Sequence, residues 1–124
     1  MKPSLIRNLV LLIATSMFPF SCTYDELAPK KVEVPSVISF SADVIPIFNA
    51  NCNVAGCHAS GGQPPNLSQT NAYSSLTFYG YVDTIDPTAS LIYEEISTGK
   101  MKQHATDQDR AIILKWIEQG AENN

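Results

Sequence analysis

The chain has 124 residues, with 12 acidic against 8 basic side chains, a net charge of −4, three cysteines and two histidines. That length allows one small domain plus a leader or tether. The acidic balance excludes the basic footprint of a nucleic-acid binder, so no nucleic-acid partner is expected.

The first residues have the make-up of an export signal. Lys2 and Arg7 charge the front, Leu9-Val10-Leu11-Leu12-Ile13-Ala14 supplies an apolar core, and Ser21-Cys22 closes the segment. The apolar run is shorter than the roughly 20 residues of a membrane-spanning helix. Residues 1–21 therefore read as a lipoprotein signal peptide, with Cys22 acylated and holding an exported protein to a bacterial membrane, on its periplasmic or cell-surface side. Residues 22–38 contain Asp25-Glu26, Pro29, Lys30-Lys31 and Pro35 with little apolar periodicity, as expected of a flexible tether. The folded domain is expected over 39–124.

Its first element should begin near Ser41. Ser41-Ala42-Asp43 offers a capping hydroxyl and an acidic first turn, and Ile45, Phe48 and Cys52 then share one helical face. Pro46 conflicts with this, because past the first turn a proline leaves a carbonyl unpaired. The helix must start later or kink there.

Cys52-Asn53-Val54-Ala55-Gly56-Cys57-His58 carries the chemistry. Two thiols followed at once by an imidazole is the arrangement that fixes a c-type haem, the thiols adding to vinyl groups and the histidine taking one face of the iron. Four residues separate the thiols here instead of the usual two. An exported chain offers the pair a second use, a disulfide. That bond would close only a tiny loop, where the entropic gain is smallest, and it leaves His58 unexplained.

The segment Ala59 to Leu67 is a loop by composition, with Gly61-Gly62 and Pro64-Pro65. A ligating histidine needs a partner for its other ring nitrogen, and the Pro65 carbonyl is the first candidate; equally, the prolines only shape a turn. Residues 71–76 suit a helical turn. Phe78-Tyr79-Gly80-Tyr81-Val82 has strand propensity, but irregular backbone is expected, with the aromatics packed on the core or the haem. Asp86-Pro87 looks like a capped helix entrance, Leu91, Ile92 and Ile96 form an apolar stripe, and Gly99 is a stop.

Met101 follows in a polar stretch, Lys100-Met101-Lys102-Gln103-His104. Its thioether is a candidate second axial ligand, and His104 competes for that role. The final helix is the clearest. Thr106 and Asp109 form a capping box, Ile113, Trp116, Ile117 and Gly120 repeat along one face, and Arg110, Lys115, Glu118 and Glu122 lie largely off it.

Together these pieces resemble the class I cytochrome c domain, and more closely the small bacterial haem domains patterned Phe-x-x-Asp-Val-x-Pro-Ile-Phe, two cysteines and histidine, a late methionine, then Trp-Ile-x-x-Gly-Ala. Here they are Phe40, Asp43-Val44, Pro46-Ile47-Phe48, Cys52, Cys57-His58, Met101, Trp116-Ile117 and Gly120-Ala121, within residues 38–122. The resemblance implies an all-α, cytochrome c-like fold whose N- and C-terminal helices cross beside a covalent haem c, with Phe48 and Trp116 packing at the crossing. It also implies that the Pro65 carbonyl receives the His58 N–H, although Pro64 stands where the family has glycine. Lys102 replaces the proline that often follows the methionine.

A monohaem, lipid-anchored electron carrier with a redox protein partner is the function these features predict, and not an enzyme in its own right. With His58 and Met101 on the iron there is no open site for substrate, and no nucleophile with a placed base suggests hydrolysis. The alternatives are a haem sensor or accessory subunit with a weak sixth ligand, and a haem-free, disulfide-stapled surface lipoprotein. The small number of large aliphatic residues between Cys57 and Ile85 favours haem, which would supply the missing apolar centre.

Overall fold

A computed structural model describes residues 32–124. The signal peptide expected over residues 1–21, the lipid-bearing role expected of Cys22 and most of the expected tether lie outside the described residues. Within them the chain is all-α, without a strand. Four α-helices form: α1 (Ile45–Asn51), α2 (Ala72–Phe78), α3 (Leu91–Ser97) and α4 (Asp107–Glu118). No helix among the described residues is long and apolar enough to cross a membrane.

The conflict at Pro46 is resolved by a π-helical turn, Phe40–Val44, that runs into α1 and leaves the proline in the first turn of the α-helix. Proline tolerates that position because its N–H would have no partner there anyway. The cap is Ser39, two residues earlier than the pattern suggested. Its hydroxyl accepts from the Ala42 N–H, and the Asp43 carboxylate accepts from the Ser39 N–H at 2.8 Å. Ser41 instead donates its backbone N–H to the Asn124 carbonyl.

Helix α4 forms where its capping box predicts. The Thr106 hydroxyl accepts from the Asp109 N–H, and the Asp109 carboxylate accepts from the Thr106 N–H. Its buried stripe is Ile113, Trp116 and Ile117, and Gly120 ends the element with φ +99°. It packs against α3, the π turn and the 3-10 turn Pro87–Ala89.

The crossing of N- and C-terminal elements is made through the π turn. Phe40 is the hub, with ring centroids 5.0 Å from Trp116, 5.4 Å from Tyr73 and 6.4 Å from Phe48. Phe48 and Trp116 are both buried, but Phe40 lies between them. Around this cluster gather Val44, Leu76, Ile92, Ile96, Ile113 and Ile117.

Two expectations need correction. Phe78 and Tyr79 do not pack on the core: they are 82% and 71% exposed, and stack edge-to-face on each other at the end of α2. Only Tyr81 and Val82 from that stretch turn inward, because the Tyr81 N–H and carbonyl tie it between Leu76 and Ile92. Asp86 does not cap a helix backbone. It accepts from the Thr88 hydroxyl, while the Asp83 carboxylate takes the N–H groups of Ile85 and Asp86, which hold it below the usual carboxylate range.

The end of the expected tether is also ordered. Gln108 donates to the Glu33 carbonyl, Gln119 bonds both the Ser36 carbonyl and the Ile38 N–H, and the Asn124 side chain accepts from the Phe40 N–H. Ile38 is 2% exposed. The packed unit thus begins near Glu33 rather than at residue 39, because amide side chains of α4 and the C-terminus satisfy the strap's backbone one group at a time.

Candidate functional site

Cys52 caps the C-terminus of α1, its N–H bonded to the Phe48 carbonyl at 2.9 Å. The backbone then turns tightly. The Cys52 carbonyl accepts from Val54 and His58, and the Val54 carbonyl accepts from Cys57 at 2.9 Å. Gly56 sits at φ +82°, a region that costs glycine nothing and other residues strain. This closed turn absorbs the two extra residues between the thiols.

Cys52 is half-buried and Cys57 exposed, and the two are free thiols rather than bonded to each other. Burial pushes the Cys52 thiol up from its ordinary value, and the negative charges of Asp109 and Cys57 push the same way. At neutral pH Cys52 is therefore a protonated thiol.

The ring of His58 is held from behind. Its Nδ1 lies 3.0 Å from the Pro65 carbonyl and 3.2 Å from the Gln63 carbonyl. Carbonyl oxygens only accept, so Nδ1 carries the proton and Nε2 keeps its lone pair for a ligand. The loop bearing those carbonyls is folded back by two bonds, Leu67 N–H to the His58 carbonyl at 2.7 Å and Gln63 N–H to the Cys57 carbonyl at 2.6 Å. Pro65 is thus placed as the sequence suggested. Gln63 was not foreseen, since a backbone carbonyl has no sequence signature.

These residues open onto one cleft of about 400 Å³, a size within the range of small-molecule and cofactor sites, about 300–1,000 Å³. Cys52, Cys57, His58, Pro65, Met101 and His104 all line it. The wall between them is chiefly apolar, with Ile47 and Phe48 from α1, Leu67 and Tyr81 from the loops, Ile92 and Ile96 from α3, and Ile113 from α4. Trp116 does not line the cleft; it stands behind Phe40, its indole N–H donating to the Glu122 carbonyl.

No family model, curated protein or solved structure matches this chain.

Met101 is half-buried against the core, with its N–H bonded to the Glu95 carbonyl. His104 is exposed at the cleft, its Nε2 3.2 Å from the Gln103 side-chain nitrogen. Among the described residues no group of three or more His, Cys, Asp or Glu could hold a bare metal ion. The donors that the cleft does offer are two imidazoles, His58 and His104, one thioether, Met101, and two thiols, Cys52 and Cys57, around an apolar slot.

Besides Gln63, two contributors escaped the sequence. A Cβ on Gly62 would collide with the Cys57 carbonyl, so the return of the loop beneath His58 requires glycine there. Arg110 is not a solvated charge: its guanidinium reaches the Ile96 and Lys102 carbonyls on either side of Met101.

Proposed function

We propose that residues 33–124 form a cytochrome c-like domain carrying one covalently attached haem c, and that the protein transfers electrons. The observation that carries this is the convergence, on one apolar cleft, of both thiols, a histidine with its Nδ1 already committed, and a half-buried methionine.

In this assignment Cys52 and Cys57 would hold the macrocycle by thioether bonds and His58 Nε2 would bind the iron, while the Pro65 and Gln63 carbonyls fix the imidazole ring plane. The Met101 sulfur, which lines the same cleft, would be the second protein ligand. The haem, when bound, supplies one-electron iron chemistry at a potential that a methionine ligand raises. Ile92, Ile96, Ile113 and Phe48 exclude water from the ring. With both His58 and Met101 committed to the haem, no open position would remain for a substrate, and the acidic chain favours a basic partner surface. Residues 1–21 and Cys22 are proposed as the signal and lipid anchor of an exported protein.

The test is the visible spectrum of the protein exported from a host with haem-attachment machinery, taken after acid-acetone extraction and as the reduced pyridine complex. Haem that stays with the polypeptide, and is lost in Cys52→Ser and Cys57→Ser, is the expected result. A colourless protein with Cys52 and Cys57 joined to each other would overturn the proposal.

A further inference from the structure

Arg110 directs three donors to three different partners. Its side chain is 17% exposed. Nε donates to the Ile96 carbonyl, Nη2 to the Lys102 carbonyl and Nη1 to the Asp107 carboxylate, each at 2.6 Å. The Ile96 carbonyl belongs to the last turn of α3, where carbonyls lack intrahelical partners. Lys102 directly follows Met101.

One side chain of α4 therefore grips the Met101 loop at both ends. Within the loop, the Met101 N–H bonds the Glu95 carbonyl at 3.1 Å, the Lys100 N–H bonds the Glu95 carboxylate at 3.0 Å, and the His104 N–H bonds the Met101 carbonyl at 2.9 Å. Those bonds tie the loop to α3 and to itself. Among the described residues, only Arg110 hydrogen-bonds residues 96–104 to α4.

Met101 and His104 both line the cleft, three residues apart. An imidazole is at least as good a ligand for ferric iron as a thioether, so intrinsic affinity does not choose the sulfur. Lys102, which Arg110 holds, lies between the two candidates. Its carbonyl also accepts from the Ala105 N–H at 3.5 Å, so the guanidinium is bonded to the same oxygen that closes the 102–104 turn.

We infer that Arg110 is a positioning residue that selects Met101 over His104 as the sixth haem ligand, an inference that rests on the haem assignment above. A lysine cannot replace it fully. The planar guanidinium spans two carbonyls and a carboxylate at once, whereas an ammonium is a single compact charge.

The experiment uses the haem-loaded full chain. Its readouts are the far-red sulfur-to-iron absorption band of the ferric form and the reduction potential, with Met101→Ala marking the loss of sulfur. Arg110→Ala should lose the band and lower the potential, and Arg110→Ala combined with His104→Ala should recover the band. Arg110→Lys, whose single ammonium cannot span all three acceptors, should keep the band but lose it at about tenfold lower added imidazole than the wild type. Asp107→Asn, which leaves both carbonyl contacts, should keep the wild-type spectrum.

Unchanged band and potential in Arg110→Ala would overturn the inference. So would a loss that His104→Ala fails to restore, since selection against the imidazole would then play no part. If Arg110→Ala does not fold, Arg110→Lys carries the same comparison, and wild-type resistance of its band to added imidazole is equally fatal. A wild-type protein that binds haem but lacks a band sensitive to Met101→Ala is a distinguishable failure, that of Met101 ligation itself, and the role of Arg110 falls with it.

Discussion

Phe40 and Phe78 are the same side chain in opposite surroundings, which makes them a controlled pair. Phe40 is 2% exposed and meets three other aromatic rings; Phe78 is 82% exposed. Truncating a buried phenylalanine to alanine costs about 3–5 kcal/mol, the sum of lost transfer energy and the cavity left behind. Phe40 should fall at the upper end, because the three rings it separates sit on α1, α2 and α4 and have no common way to collapse inward. A domain of this size is stable by about 5–14 kcal/mol, so Phe40→Ala removes a large share of it. Phe78→Ala should stay within about 0.5 kcal/mol. In urea unfolding followed by far-UV circular dichroism, the first should move the midpoint by roughly 2–3 M and the second hardly at all. Equal shifts for the two variants would refute the packing described, as would a cost below about 1 kcal/mol for Phe40→Ala.

Gly62→Ala should cost about 1–3 kcal/mol by overpacking against the Cys57 carbonyl and should lower haem occupancy, checked by pairing thermal melts with the haem-to-protein absorbance ratio. An alanine variant of wild-type stability and occupancy would show that the loop does not need this close approach. In the haem-free protein, Cys52 has its folded pKa raised by burial, so its contribution is fully present below the unfolded thiol value of about 8.5 and is lost as pH rises through the higher folded value. The stability difference between wild type and Cys52→Ser should therefore shrink from pH 8 upward; a flat difference to pH 10 would contradict the burial of this thiol.

What was legible in the sequence is what local chemistry determines. The capping box at Thr106 and Asp109 and the stripe of Ile113, Trp116 and Ile117 specify α4 without help from the rest of the chain. That Cys52, Cys57 and His58 would share one site was legible from their spacing, and the contact of Pro65 with His58 from the need of an imidazole N–H for an acceptor. Contacts that depend on long-range placement were not. Phe40 sits between Phe48 and Trp116 only because α4 folds back onto the π turn, and Arg110 looks like any helix-surface charge until α3 presents its last carbonyls to it. Phe78 and Tyr79 mislead in the other direction, since aromatic composition carries no information about which way α2 faces.

The strap of residues 33–40 has a consequence for how far the domain can roam. If lipid holds Cys22 at a membrane, a leash ending at residue 39 would reach roughly 58 Å when fully extended, whereas one ending at Glu33 reaches roughly 37 Å. The volume swept falls about fourfold with that shortening, and the local concentration of any partner fixed in the same membrane rises by the same factor. Gln108, Gln119 and Asn124, remote from the cleft and without chemistry of their own, would then set how often the site meets its partner.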